Sequence, residues 1–301
     1  MNNVDFDPCC SGDSISRVVN TEAQKIKLLD STPEDFSIVR YIGKHVMDYT
    51  HVHTVYEIYF CTESVKQRLV INGSEYYCDS PCVVISKPYT VHSMSCTDEG
   101  DVSYERFVIE FGQDYLTKYF YDRPEIKDML EGSLGLLFRL ERGCADYLRE
   151  IITVFENEGG VPFSKAELGA AFSLFVSRLF SVGGKNITAV GTHSSYIHEC
   201  MKYISENLSL NLDYNTLARR FAVSKSKLER DFKLACMISP REFADMCRLK
   251  KARELLGAEP TMSVAQISNK CGFSSETYLF TFFKKHIGLS PKEYRKALLS
   301  K

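Results

Sequence analysis

Apolar residues recur along this chain with two different periods. Between about residues 36 and 111 they alternate with polar residues or form short blocks, at 55–60, 67–71, 82–85 and 106–111, with turn residues between. Asn72-Gly73, flanked by two such blocks, is a hairpin signal. Many short strands without intervening helices predict a barrel or jelly roll. Residues 144–158 and 164–180 then switch to helical spacing. In the second of these, Leu168, Ala171, Phe172, Phe175 and Leu179 form one apolar stripe, able to pack on the barrel or to pair with a second copy.

The last hundred residues repeat themselves. Phe232-Lys233 recurs as Phe283-Lys284 and Ser239-Pro240 as Ser290-Pro291, each 51 residues on, and Leu217-Ala218 recurs as Ile267-Ser268, 50 on. Each copy reads as two short helices across a tight turn. The first buries Leu217, Ala218 and Phe221, turns at Ala222-Val223, takes Ser224 as N-cap, then buries Leu228 and Phe232. The second opens on Ser263-x-x-Gln266, a capping box, and turns at Cys271-Gly272. It then buries Tyr278, Leu279, Phe282 and Phe283. Gly288 suits the residue after a helix, and Ser290-Pro291 suits the start of a last one. Residues 240–256 hold no internal glycine or proline, which predicts one connecting helix of about 25 Å.

Two helices across a short turn make a helix-turn-helix, whose second helix enters the major groove. With Leu228 and Phe232 inward, Ser226, Glu229, Arg230 and Lys233 point outward, beside Lys225 and Lys227. Arginine pairs with guanine and glutamate accepts from cytosine, whereas lysines hold phosphates. In the second copy the outward set is Ser275, Thr277, Phe280, Thr281 and Lys284. A basic amphipathic helix is by itself most often only a solvated surface. Two copies at matched spacing argue for a reader of duplex DNA.

Charge supports this division. The 301 residues carry a net charge of −2, but residues 192–301 hold 19 basic and 11 acidic side chains, leaving 18 and 28 for residues 1–191. A basic domain joined to an acidic one suggests a polyanion-binding module with a partner domain. At 44% hydrophobic and 25% charged, the chain has the balance of a folded globular protein. No uninterrupted apolar run reaches the roughly 18 residues of a membrane span, and residues 1–12 lack the pattern of a secretory signal. Eleven cysteines, an odd number without C-x-x-C, fit free thiols in a reducing cytoplasm better than a disulfide framework or zinc ribbon. The pairs Cys9-Cys10 and Cys78/Cys82 keep a thiol-sensing alternative open.

In the N-terminal part, His51, His53, Glu57 and His92 combine imidazoles with a carboxylate, and His51 and His53 share a strand face. Three readings stand: an ordinary hydrogen-bond network, a hold on a small organic effector, or a metal site. Tyr41, Tyr49, Tyr56, Tyr59, Tyr76, Tyr77, Tyr89 and Tyr104 are either plain strand residues or rings for a sugar-like ligand. Arg40 is either a clamp for an anionic or polyhydroxylated ligand or a surface ion pair.

The C-terminal third resembles the AraC/XylS family of bacterial transcription regulators. The residues that carry this are Val264-Ala265-Gln266-Ile267, Gly272-Phe273-Ser274-Ser275, Tyr278-Leu279, Phe283-Lys284-Lys285, Gly288-Leu289-Ser290-Pro291 and Tyr294-Arg295. In the first copy they are Leu217-Ala218, Ser224, Leu228, Arg230, Phe232-Lys233 and Ser239-Pro240. Met237 stands where the family usually has glycine, Thr281 where arginine is common, and Phe280 where a small polar residue is common. The last two put a borrowed base preference for the second copy in doubt. The resemblance implies promoter DNA, RNA polymerase and a homodimeric partner. His51-x-His53-x-x-x-Glu57, Gly73, Pro88 and His92 resemble the cupin barrel, which in this family is the usual effector-binding domain and commonly metal-free.

The resulting expectation is an α+β protein. Residues 1–182 form a cupin-like effector-binding and dimerisation domain, with its barrel at about 30–115 and helices at about 124–182. Residues 183–194, rich in glycine, form a linker, and 195–301 form a double helix-turn-helix domain joined by a long helix. The expected function is that of a cytoplasmic DNA-binding regulator answering a small-molecule effector, such as a sugar, held by Arg40, His51, His53, Glu57 and His92. It is expected to be no enzyme and to carry no cofactor or metal. A cupin metalloenzyme with an attached nucleic-acid-binding module is the alternative.

Overall fold

The computed structural model describes residues 19–21, 24–28, 37–47, 50–100, 102–119, 123–153, 165–183, 186–191, 196–209, 213–236 and 238–299. Tyr49 and Met237 lie outside the described residues. Two compact units are present, one built on Ser31–Ser194 and one on Ser195–Lys301 together with the segment Ser14–Asp30. Ahead of the first, β1 (Val19–Thr21) and β2 (Gln24–Leu28) pair antiparallel with each other.

The N-terminal unit stacks two antiparallel sheets under a layer of helices. Its strands are β3 (Ser37–Ile42), β4 (Thr50–Val52), β5 (Tyr56–Cys61), β6 (Gln67–Ile71), β7 (Ser74–Cys78), β8 (Cys82–Ser86), β9 (His92–Cys96) and β10 (Glu105–Phe111). Next come α1 (Gln113–Tyr119), α2 (Pro124–Gly132), β11 (Gly135–Arg139), α3 (Arg142–Thr153), α4 (Lys165–Gly183) and β12 (Ile187–Val190). One sheet runs β4-β9-β6-β7 and the other β12-β11-β8-β5-β10-β3. Asn72 and Gly73, both at positive φ (46° and 79°), make the tight turn that sets Ile71 opposite Ser74.

The inner strands β5, β8 and β10 of the second sheet are buried along their whole length; β5 and β8 are mostly apolar, whereas β10 also carries Glu105, Arg106 and Glu110. Ile58, Phe60, Phe107, Ile109 and Phe111 face the helices, whereas Tyr59, Cys61, Val84 and Val108 face the opposite sheet. By the same alternation Glu57 and Glu110 turn inward between the sheets.

Two boundaries differ from the sequence expectation. The barrel is not confined to about 30–115, because β11 pairs with β8 and β12 pairs with β11. The stretch read as a linker therefore contains a strand. The β-branched residues of Ile187-Thr188-Ala189-Val190 outweigh the flanking glycines once an open sheet edge is available. Helix α4 is long and apolar enough to cross a membrane by length and composition, at mean hydropathy 1.2 over Ala166–Gly183. Its stripe of Phe172, Phe175, Val176 and Leu179 is instead spent on the barrel core, with the Phe172 and Phe111 ring centroids 4.7 Å apart and the rings tilted by 55°.

From residue 195 onward the regular structure among the described residues is all helical. It contains α5 (Tyr196–Glu206), α6 (Tyr214–Arg220), α7 (Lys225–Cys236), α8 (Pro240–Ala258), α9 (Val264–Cys271), α10 (Glu276–Ile287) and α11 (Pro291–Leu299). Helix α5 was not anticipated, although Ile197, Cys200, Met201 and Ile204 carry the i, i+3, i+4, i+7 signature and are buried. Ser239–Glu242 and Ser263–Gln266 form complete capping boxes, and Gly272 and Gly288 end their helices in the left-handed conformation. Helix α8, at 19 residues and about 28 Å, runs between the two helix pairs.

The internal repeat extends to individual hydrogen bonds. Ala222 N–H donates to Arg219 O and Val223 N–H to Ala218 O; fifty residues on, Gly272 N–H donates to Asn269 O and Phe273 N–H to Ser268 O. The same turn thus holds Ala222 at φ 52° and Gly272 at φ 79°.

Candidate nucleic-acid interface and a buried polar centre

Helix α7 is oriented by Leu228 and Phe232, both fully buried, the latter packed 5.9 Å from Phe243 of α8. Helix α10 is oriented in the same way by Leu279 and Phe283. Their outer faces are therefore fixed. Lys225, Ser226, Lys227, Glu229, Arg230 and Lys233 are all exposed on α7; Ser275, Thr277, Phe280, Thr281 and Lys284 are all exposed at α10.

Several of these side chains already have local partners. Asp231 holds Lys227 and lies 3.3 Å from Arg230 Nε. Ser275 Oγ caps α10 by accepting from Tyr278 N–H at 3.0 Å, so its role is partly structural. Thr281 Oγ1 donates to Thr277 O at 3.0 Å. An exposed i,i+4 pair such as Lys227–Asp231 is worth only about 0.3–0.5 kcal/mol and is readily exchanged for a phosphate.

Between the two helix pairs lies a cleft of about 690 Å³, lined in part by Lys225, Arg241, Arg248, Asn269 and Tyr278. Arg241 was not singled out from sequence. Its signal was its place in the first turn of α8, directly after Ser239-Pro240.

In the N-terminal unit, His51, His53, Glu57 and His92 converge. Their ligand-type atoms all lie within 4.8 Å of one another, and each residue is 5% exposed or less. His53 Nε2 is 2.9 Å from Glu57 Oε2, His92 Nε2 is 3.2 Å from Oε1, and His51 Nε2 is 3.9 Å from Oε2. Burial, reinforced by the neighbouring His92, pushes His51 well below the usual imidazole range, so it is neutral at pH 7. Burial alone would raise Glu57, but the charges of His53 and His92 and hydrogen bonds from His51 and His53 overcome it and hold the carboxyl well below its usual range. Three imidazoles and a carboxylate form a donor set suited to a first-row transition metal.

Arg40 does not join this centre. It donates to Glu105 Oε1 at 2.6 Å, and Arg149 clamps the same carboxylate. Its sequence neighbourhood suggested a ligand clamp, but β3 pairs with β10 in a register that sends Arg40 to Glu105 instead. Tyr56, Tyr59 and Tyr104 are buried core residues, with Tyr59 donating to Gln67 Oε1 at 3.3 Å, and exposed Tyr77 donates to Glu75.

Residues 217–297 match the model of a helix-turn-helix domain family. The Msm operon regulatory protein of Streptococcus mutans is 31% identical over 104 residues, covering 35% of this chain and 37% of that protein. The HTH-type transcriptional activator RhaS of Escherichia fergusonii is 24% identical over 259 residues, covering 81% of this chain and 86% of that protein. The crystal structure of ToxT from Vibrio cholerae aligns over 88% of this chain and 99% of its own, at 17% identity and a TM-score of 0.45. Repeated helix pairs joined by α8 define a double helix-turn-helix unit, and over residues 217–297 the chain is similar to the DNA-binding domains of AraC/XylS-type regulators.

Proposed function

We propose that the chain is a transcription regulator that binds promoter DNA through α7 and α10 and is controlled by a small molecule in its N-terminal unit. The observation that carries this is the pair of matched turns, each presenting an exposed polar helix face pinned from behind by two fully buried apolar residues. On α7, Arg230 reads guanine, Glu229 and Ser226 contact neighbouring base edges, and Lys225, Lys227 and Lys233 hold phosphates. On α10, Thr277, Thr281 and Phe280 meet base edges, Phe280 suiting a thymine methyl, while Ser275 and Lys284 lie toward the backbone.

The cupin-like N-terminal unit takes the effector at the centre formed by His51, His53, Glu57 and His92, without Arg40. Tyr56, Tyr59 and Tyr104 are spent on packing, which takes three rings from the sugar reading. The family supports a homodimer, a contact with RNA polymerase and a cytoplasmic place of work. Dimerisation through the α4 region would use a face other than the stripe already buried against the barrel. A metalloenzyme is the weaker reading. The relatives that align over most of this chain are named as transcriptional activators.

In vitro selection from random duplex DNA with the full chain tests this. The expected result is an enriched motif with two contacted blocks in adjacent major grooves, and an Arg230→Ala variant that relaxes one position in it. Failure to enrich any sequence would overturn the proposal.

A further inference from the structure

Cys61, Cys78, Cys82 and Cys96 share one buried cluster in the core of the N-terminal unit. Within it a corner of the chain brings two sulfurs together. Strand β7 ends on Cys78 in one sheet, Asp79-Ser80-Pro81 turns the chain, and β8 begins on Cys82 in the other sheet. The Cys78 and Cys82 side chains hydrogen-bond to each other across this corner. Cys61 is the cross-strand partner of Cys82, but its sulfur is engaged elsewhere. It donates to Glu63 O at 3.5 Å and accepts from Gln67 Nε2 at 3.8 Å.

The corner treats its two sulfurs unequally. A hydrogen bond from Cys82 prevails over burial and, with Ser80 and the charge of Arg139, pulls the Cys78 thiol down to about 6. Cys78 Sγ lies 3.4 Å from both the carbonyl and the hydroxyl oxygen of Ser80. Cys82, which gives that hydrogen bond and is buried, is pushed well above the usual thiol range. At pH 7 the pair therefore holds one proton, on Cys82, beside a Cys78 thiolate. Burial pushes Cys61, Cys200, Cys247 and Cys271 up to about 12, where a thiol is inert. Access favours Cys78 as well. It ends an edge strand, it is 4% exposed against 0% for Cys82, and exposed Asp79 follows it. So narrow an opening suits a small oxidant and not a bulky one.

We propose that Cys78 and Cys82 are a reversible dithiol that reacts with hydroperoxides, Cys78 as the attacking thiolate and Cys82 as the resolving thiol. The Cys78 sulfur attacks a peroxide oxygen and breaks the O–O bond. It becomes a sulfenic acid, and the hydroxide that leaves takes a solvent proton to give water. The Cys82 sulfur then attacks the Cys78 sulfur. The S–S bond forms, the S–O bond breaks, and the departing hydroxide leaves as water with the Cys82 proton. Two thiols lose two electrons to one peroxide, which ends as two waters. A disulfide that closes only three intervening residues constrains the unfolded chain little, which makes it a labile bond of the signalling kind. This site depends on neither the DNA-binding proposal nor the histidine centre.

The test uses the full chain, reduced and then freed of reductant. Brief alkylation with iodoacetamide should label Cys78 ahead of Cys61, Cys200, Cys247 and Cys271, by about tenfold or more. Hydrogen peroxide should remove two of the eleven titratable thiols, and dithiothreitol should return them. Cleavage before Asp79 separates the two sulfurs, so the fragments ending at Cys78 and beginning at Asp79 should stay joined until reduced. In Cys82→Ser the reaction should stop at a Cys78 sulfenic acid, which dimedone traps; in Cys78→Ser no dimedone adduct should form at the corner. Peroxide that leaves Cys78 and Cys82 as thiols in the unmutated chain would overturn the proposal, whatever the variants do. A first-formed link through Cys61, or one confined to Cys9 and Cys10, would overturn it too. Faster reaction with oxidised glutathione than with hydrogen peroxide would overturn the hydroperoxide assignment and make the pair a site of disulfide exchange.

Discussion

The Tyr278 hydroxyl of α10 donates to Asp245 Oδ2 of α8 at 2.9 Å. Asp245 is 4% exposed, and its other oxygen accepts from Arg248 Nη1 at 2.8 Å. Arg248 in turn donates through Nε and Nη2 to Leu208 O, each at 3.2 Å. One buried carboxylate therefore ties the second reading helix to the connector, and through Arg248 ties the connector to the segment that leads into the first helix pair. Asp245→Ala strips a largely buried arginine of its partner and should cost about 3–5 kcal/mol. Tyr278→Phe should cost about 1.5–3 kcal/mol, the range for a hydrogen bond to a charged group. Chemical denaturation of the full chain, followed in the C-terminal unit, checks the order. Equal effects would mean that the carboxylate is not the hub.

The two matched turns give opposite expectations for opposite substitutions. Ala222 sits at φ 52°, where a Cβ is strained, and it is exposed. Ala222→Gly should stabilise the first helix pair, with left-handed strain of about 1–2 kcal/mol partly offset by glycine's greater unfolded-state entropy. At Gly272 a Cβ would lie 1.9 Å from Leu208 O, a backbone atom, in addition to φ +79°. Gly272→Ala should destabilise by more than 1 kcal/mol. Melting temperatures of the two variants should move in opposite directions.

That contrast also shows what the sequence could disclose. Gly272 announced its turn because glycine is the residue for positive φ. Ala222 makes the same turn without such a mark, and only the 50-residue offset to a recognisable copy revealed it. The reading faces of α7 and α10 were legible because Leu228, Phe232, Leu279 and Phe283 fix helical phase. Convergence of His51, His53, Glu57 and His92 was partly legible, since alternate residues on a strand share a face. Which sheet each strand joins is a long-range matter, and so neither the Glu57–Glu110 pairing nor the capture of Arg40 by Glu105 could be read from spacing. Strand β12 was hidden for the same reason: its partner β11 lies beyond two helices in sequence.

Glu105 provides a pH expectation. Burial would raise its carboxyl, but hydrogen bonds from Arg149 and Arg40 prevail and hold it below its usual value. A depressed carboxyl contributes stability that is present above its unfolded value, about 4.3, and is lost as pH falls through the lower folded value. Melting of the full chain as a function of pH should therefore show a decline below about pH 4.3. In an Arg40→Met/Arg149→Met variant the part of that decline due to Glu105 should be missing. An unchanged difference between neutral and acid melting in that variant would show that the arginines do not set this carboxyl.

On the DNA, Arg230 and Lys233 should behave differently. Arg230→Ala should cost about 1–3 kcal/mol on the preferred sequence and relax one base position. Lys233→Ala should weaken binding to all sequences alike and reduce the salt slope by about 1. Mobility shifts over a range of salt concentrations, on preferred and scrambled duplexes, separate the two. Identical behaviour of both variants would mean that α7 does not lie in the groove as proposed.

The central claim is that two reading helices, set apart by the rigid α8, engage one duplex at once. It is tested most directly by inserting five base pairs, about half a helical turn, between the two contacted blocks of the selected site. The account predicts that affinity falls to that of a site carrying one block alone, and that inserting about ten base pairs, which adds roughly 34 Å, does not restore it, because α8 fixes the separation. Affinity unchanged by the five-base-pair insertion would contradict it.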